Sequence, residues 1–355
     1  MRIKPFCSWE MEIAKNKAKI QSGLLTGIVL TVAIGAGLAA FFLFGTSGTS
    51  SSLGPEFQYD IEQYAKIDPA LITWRQVGEE VKSDFEQSRA IAVDAEGVIY
   101  IAGDEKLEIY DKDFPVVKQI ELGYEPTCLG IDTDGTIIVG LTDHLGFMDG
   151  YGNVTGEWKK PAESALLTSV AVDKDNVYAA DALNKVVWRY DREGNVVNAI
   201  GKKDPDRNIP GIILPSPYFD VAMYPDGLLR VVDPGRHLIE AYTAEGYREW
   251  AWGQRSIGIE GFSGCCNPVA LAILPDGRFV TAEKGLVRVK VYDTEGEFQS
   301  AVAGPDQLGW VHPLRVCETP EECKAMSLDI AVGPQGRIYV LDTVSHVMKV
   351  FEEQK

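Results

Sequence analysis

Apolar and polar positions along the chain fall into one motif that recurs six times: a short apolar run, a turn built on Asp or Gly, a second apolar run, and a third that ends near an aromatic residue. The copies are "AIAVDAEGVIYIAGDEKLEIYD" from Ala90, "CLGIDTDGTIIVGLTDHLGFMD" from Cys128, "SVAVDKDNVYAADALNKVVWRYD" from Ser169, "DVAMYPDGLLRVVDPGRHLIEAYT" from Asp220, "ALAILPDGRFVTAEKGLVRVKVYD" from Ala270 and "DIAVGPQGRIYVLDTVSHVMKVFE" from Asp329. Pairs such as Asp134-Gly135, Asp226-Gly227, Asp276-Gly277 and Gln335-Gly336 suit tight hairpins, so each copy predicts a small antiparallel meander. One meander cannot bury both of its faces, and stacking several about an axis buries them against one another.

An outer strand ending in glycine follows most copies, as in "VVNAIG" to Gly201, "YREWAWG" to Gly253 and "FQSAVAG" to Gly304. The sixth copy lacks one. "LITWRQVG", Leu71 to Gly78, ends in the same way and precedes the first copy, so it is expected to complete the last sheet and remove two open edges. The prediction is an all-β, six-bladed propeller over 57–355.

These residues resemble the NHL-repeat family of six-bladed propellers, from about Leu71 to Glu352. The likeness is strongest in "SVAVDKDNVYAADALNKVVWRYDREGNVV", where Asp181, Asn184, Val187 and Tyr190 occupy the family's places. Copies two and five depart from it, the latter with Glu283 where Asp is usual. The resemblance implies a binding scaffold more often than an enzyme.

Upstream, "SGLLTGIVLTVAIGAGLAAFFLF" over 22–44 holds no charged residue, and about 20 apolar residues suffice to cross a bilayer as a helix. Arg2, Lys4, Lys15, Lys17 and Lys19 precede it against Glu10 and Glu12, which predicts a cytoplasmic segment 1–21, an uncleaved anchor, a tether of small residues over 45–56, and an exported propeller in a bacterial inner membrane. A cleavable signal peptide has a shorter apolar core, usually about 7 to 15 residues. Net charge is −18, and the first 45 residues are net basic, so the exported part is more acidic still. Such a surface repels phosphate backbones and argues against a nucleic-acid partner.

Candidate chemistry is sparse. No nucleophile elbow, phosphate loop or catalytic-triad spacing is present. His144, His237 and His346 fall in alternate copies, as zinc ligands about an axis would, but the last two sit at the repeat's turn, where histidine is ordinary. The residues opening the inner strands, Ala90, Cys128, Ser169, Asp220, Ala270 and Asp329, are expected to face the channel, and Asp220 with Asp329 would be the candidate ligands for a channel ion. Lactonases and amidating lyases on similar propellers need three or four such ligands.

Three connections are enlarged: "KKDPDRNIPGIILPSPY" (202–218), "QRSIGIEGFSGCCNP" (254–268) and "PDQLGWVHPLRVCETPEECKAMS" (305–327). Each leaves an outer strand and enters the next inner strand, so all three belong to one face of the disc, and long loops on a rigid scaffold are where function concentrates. Cys265, Cys266, Cys317 and Cys323 lie in two of them. In an oxidising compartment disulfides are expected, and because adjacent Cα atoms sit about 3.8 Å apart, too close for an unstrained bridge, the favoured pairing cross-links the two loops. The "CC" and C-x5-C pattern also loosely resembles the iron–sulfur ligands of CCG-type domains. Three functions follow as expectations: a protein-binding scaffold or accessory subunit of a membrane complex, without cofactor; a redox subunit with an iron–sulfur cluster or other metal on those four cysteines; and a metal-dependent hydrolase or lyase of the channel.

Overall fold

The computed structural model describes residues 62–111, 114–310 and 328–354. Within them lie six antiparallel sheets of four or five strands, arranged as a propeller. The innermost strands are Ser88–Val93, Cys128–Ile131, Leu167–Val172, Val221–Met223, Ala270–Ile273 and Leu328–Val332. The outer strands read from the glycine-ended runs are Val196–Ile200, Arg248–Trp252 and Phe298–Ala303.

The inner hairpins form for local reasons. Asp94 Oδ1 accepts from the amides of Glu96 and Val98 at 3.0 and 2.8 Å, while Tyr100 donates its hydroxyl to Asp94 Oδ2 at 3.0 Å. Gly97 closes that turn with φ of 87°, a conformation in which a Cβ is disfavoured.

The core consists of seams between blades. Each of the six hydrophobic clusters joins two neighbouring blades, as where Leu107 and Ile109 of the first meet Leu129 and Val139 of the second. The apolar faces of the inner strands are thereby covered by the next blade, which a single meander cannot achieve.

The last seam explains the closing strand. Trp74–Gln76 pairs antiparallel with Val347–Glu353, Trp74 opposite Glu353 and Gln76 opposite Phe351. Trp74 is 3% exposed, packs into the seam between blades five and six, and donates Nε1 to Ser300 Oγ at 3.3 Å. The strand expected over Leu71–Gly78 is shorter at its start, where Pro69–Leu71 forms a 3-10 turn, and it continues beyond its expected end. After Gly78 turns with φ of 73°, Val81–Lys82 returns to pair with the same partner, Val81 opposite Met348.

No helix among the described residues is long and apolar enough to cross a membrane. The segments 1–21, 22–44 and 45–56 lie outside the described residues, as do Cys317 and Cys323.

Candidate functional site

The six inner strands enclose a central cavity of about 1040 Å³. Its wall follows the strand register. At one end are Val93, Ile131, Val172, Met223, Ile273 and Val332, all apolar and partly exposed. One step up the wall every residue is Ala or Gly. These small side chains let the blades crowd the axis: a Cβ on Gly130 would sit 2.6 Å from Val170 Cγ1. At the other end come the predicted channel residues, of which Ala90, Cys128, Ser169, Asp220 and Asp329 line the cavity. Ala270 is the exception. It packs into the seam with blade six, and Val269 and Leu271 take its place on the wall.

Asp220 and Asp329 are committed to neighbouring blades. Asp220 accepts Ser169 Oγ at 2.5 Å and its successor's amide, Val221 N, at 2.8 Å, and reaches across to Leu271 N at 2.6 Å. Asp329 accepts Ile330 N at 2.9 Å and crosses to Ile91 N at 2.8 Å. Among the described residues neither carboxylate forms an ion pair. Burial raises Asp220 to about 6, and burial with the nearby Asp220 charge raises Asp329 to about 7. Burial pushes the Cys128 thiol up to about 12, which leaves it inert at neutral pH. Among the described residues no three His, Cys, Asp or Glu side chains converge as a metal site would require.

The histidines are dispersed. His237 (φ 62°) and His346 (φ 59°) occupy left-handed turn positions. His237 Nε2 donates to Gly264 O at 2.9 Å, and His346 Nδ1 lies 3.1 Å from Ser88 Oγ at the channel mouth. His144 Nδ1 bonds Asp143 Oδ1 at 2.9 Å.

What organises the loop-bearing face is a feature the sequence reading passed over. The acid ending each of several second strands receives the loop that enters its own blade: Asp181 accepts Leu166 N at 3.0 Å, Asp233 accepts Ile213 N at 3.2 Å, and Glu283 accepts Ser263 N at 2.9 Å. In blade five the arrangement is larger. Glu283, Arg288 and Lys290 are all at most 1% exposed. Glu283 pairs with Arg288 Nη2 at 2.9 Å and Lys290 Nζ at 2.5 Å. Lys290 also donates to Ile259 O and Gly261 O, at 3.0 and 2.6 Å, and Arg288 Nη1 to Ile257 O and Gly258 O, both at 3.3 Å. The cluster therefore threads the loop 254–264 onto the blade beneath it. Burial works to raise Glu283, but Lys290 and Arg288 outweigh it and hold the carboxyl below its ordinary value. Burial lowers Lys290 to about 8. The signal available in the sequence was "RVK", two cations on one side of an otherwise apolar strand.

The paired cysteines lie on this anchored loop. Cys265 is exposed, Cys266 is buried, and both are free thiols with their sulfurs 3.4 Å apart. They turn toward each other, and the expected partners in the next loop, Cys317 and Cys323, lie outside the described residues.

The sequence matches no protein-family model and no curated protein. Solved structures do match. A streptogramin B lyase superposes with a TM-score of 0.54 at 12% identity, covering 81% of this chain and 100% of that one. A catalytically inactive histidine-to-alanine virginiamycin B lyase from Staphylococcus aureus, with quinupristin, gives 0.51 at 12% identity over 78% of this chain and 99% of that one. A Bacteroides thetaiotaomicron protein of unknown function gives 0.54 at 15% identity over 78% and 72%. The likeness is one of fold.

Proposed function

We propose that the protein is an NHL-like binding scaffold, held at a bacterial inner membrane by 22–44 with its propeller outside the cytoplasm, that engages a protein partner through its loop-bearing face. The carrying observation is that the loops 202–218 and 254–268 are tied down by Asp233 and by the Glu283 cluster, so that face is preformed. A preformed surface spares a partner the entropy of ordering the loops. The same face exposes Tyr124, Leu183, Ile213, Ile257 and Val344, large apolar side chains of the kind that anchor protein interfaces.

The alternatives have less support. Two of the solved counterparts are lyases, yet here the channel carboxylates bond the next blade's amides. Of the four cysteines considered for an iron–sulfur centre, the described residues contain only the adjacent pair.

Photo-crosslinking residues placed at Leu183, Ile213 and Ile257 in intact membranes test the proposal, with Val154 on an outer strand as control. One discrete adduct shared by the loop-face positions and absent at Val154 is expected. Equal labelling at all four positions overturns it. A reporter after Lys355 that is active only outside the cytoplasm is expected from the topology, and cytoplasmic activity refutes that part alone.

A further inference from the structure

Cys265 and Cys266 do not require a partner protein to have a chemistry of their own. Their sulfurs sit 3.4 Å apart on a backbone that is clamped on both sides. Before them, His237 holds Gly264 O and Glu283 holds Ser263 N. After them, Asn267 donates Nδ2 to Ser263 O and Lys284 O, at 2.7 and 2.9 Å, and accepts Lys284 N at 2.9 Å. The backbone that carries the two thiols is thus anchored on both sides.

That separation selects among thiophilic centres. With metal–sulfur bonds of about 2.3 Å, a tetrahedral centre spreads two thiolates to roughly 3.8 Å and a linear one to roughly 4.6 Å, whereas 3.4 Å subtends roughly 95°. An angle near a right angle belongs to a pyramidal, three-coordinate centre. Burial and the adjacent Cys266 thiol also hold Cys265 above the ordinary cysteine range, against the pull of Lys284. A centre that arrives carrying hydroxide takes up thiol protons as water.

We infer that Cys265 and Cys266 form a chelating site for a trivalent, pyramidal thiophile of the arsenic(III) type. Two S–H bonds and two As–OH bonds break, two As–S bonds form, and two waters leave; no electron is transferred. Lys284 stands nearby, its ammonium 4.3 Å from the ring centroid of Tyr218, which lines the channel mouth.

The test uses the full chain, reduced, in a Cys317→Ser, Cys323→Ser background that removes the other close pair of cysteines in the sequence. Phenylarsine oxide is the probe. Intact mass should show one aryl-arsenic adduct per chain, reversed by a dithiol and not by a monothiol. Cys265→Ser or Cys266→Ala should weaken binding by about 100-fold or more, as loss of one arm of a chelate does. Because Cys265 is exposed, its variant is expected to fold, and an unchanged melting curve checks that. Absence of a stoichiometric adduct in the reduced background, or its retention in folded Cys265→Ser, overturns the inference.

Discussion

The channel and the loop-bearing face both bury acids, and one of those acids, Glu283, shifts against the rest. Among the described residues no cation pairs with Asp220 or Asp329, which face the cavity, and burial raises them to about 6 and about 7. Asp233, beneath the loop of blade four, pairs with Arg236 alone and is still raised, since burial outweighs one partly exposed guanidinium. Glu283, in the same place in blade five, has two buried cations and is lowered. Burial is common to all four, so what differs is how many cations face each acid. The channel acids work as acceptors for backbone amides across a seam, and Glu283 works as the centre of an ionic clamp.

The largest expected effect breaks that clamp. Glu283→Ala strands Lys290 and Arg288 without their carboxylate, which costs about 3–5 kcal/mol for a buried pair. Denaturant unfolding followed by tryptophan fluorescence measures it. A loss below about 1 kcal/mol would mean that water compensates the cations and that the clamp is not what holds the loop.

Next comes pH. A carboxyl whose folded value lies above its unfolded one stabilises the fold in its protonated form, and that contribution is lost as pH rises through the folded value. For Asp220 and Asp329 the loss runs from the ordinary value of 3.8 up to about 6 and about 7, and the part of it that falls between about pH 5.5 and 7.5 is on the order of 2–3 kcal/mol in favour of the acid side. Glu283 has the opposite sign: its contribution is present above the ordinary glutamate value and is lost only as pH falls through its lowered one. The stability difference between pH 5.5 and 7.5 should therefore flatten in Asp220→Asn/Asp329→Asn. An unaltered slope in that variant would remove the channel acids from the comparison.

A smaller effect is expected at Asp181, the corresponding acid of blade three. It accepts only uncharged donors, including Asn184 Nδ2 at 2.6 Å and Trp188 Nε1 at 2.9 Å. Asp181→Ala leaves unpaired dipoles, not charges, at about 1–3 kcal/mol. If it proves as costly as Glu283→Ala, the cations of blade five add nothing. Smallest of all, Cys265→Ser should change stability within about 0.5 kcal/mol, because the side chain is exposed. A larger loss in the same unfolding experiment would show that the thiol pair is part of the packing.

The propeller was legible because its evidence is local and repeated. Strand alternation and Asp-Gly turns write one meander at a time, and the orphan strand around Trp74 pointed to closure. The second pairing at Val81–Lys82 was not legible, since two residues after a glycine turn carry no periodicity of their own. Among the site residues, the channel positions followed from counting to the first residue of each inner strand, and the count failed only at Ala270. Glu283 stood out as a departure from the repeat, but its partners did not, because whether Arg288 and Lys290 meet solvent depends on how the loop 254–264 lies over them.

The chain's own pattern determined the number of blades, the closing strand and the face that carries the long loops, since those depend on backbone geometry and on which residues alternate. Tertiary structure decided the charge of the acids and the company of the thiols. Asp220 meets Leu271 only when blades four and five stack, and Asp329 meets Ile91 only when the ring closes, and the energy of a buried charge is set by the dielectric and the partners that this packing brings to it.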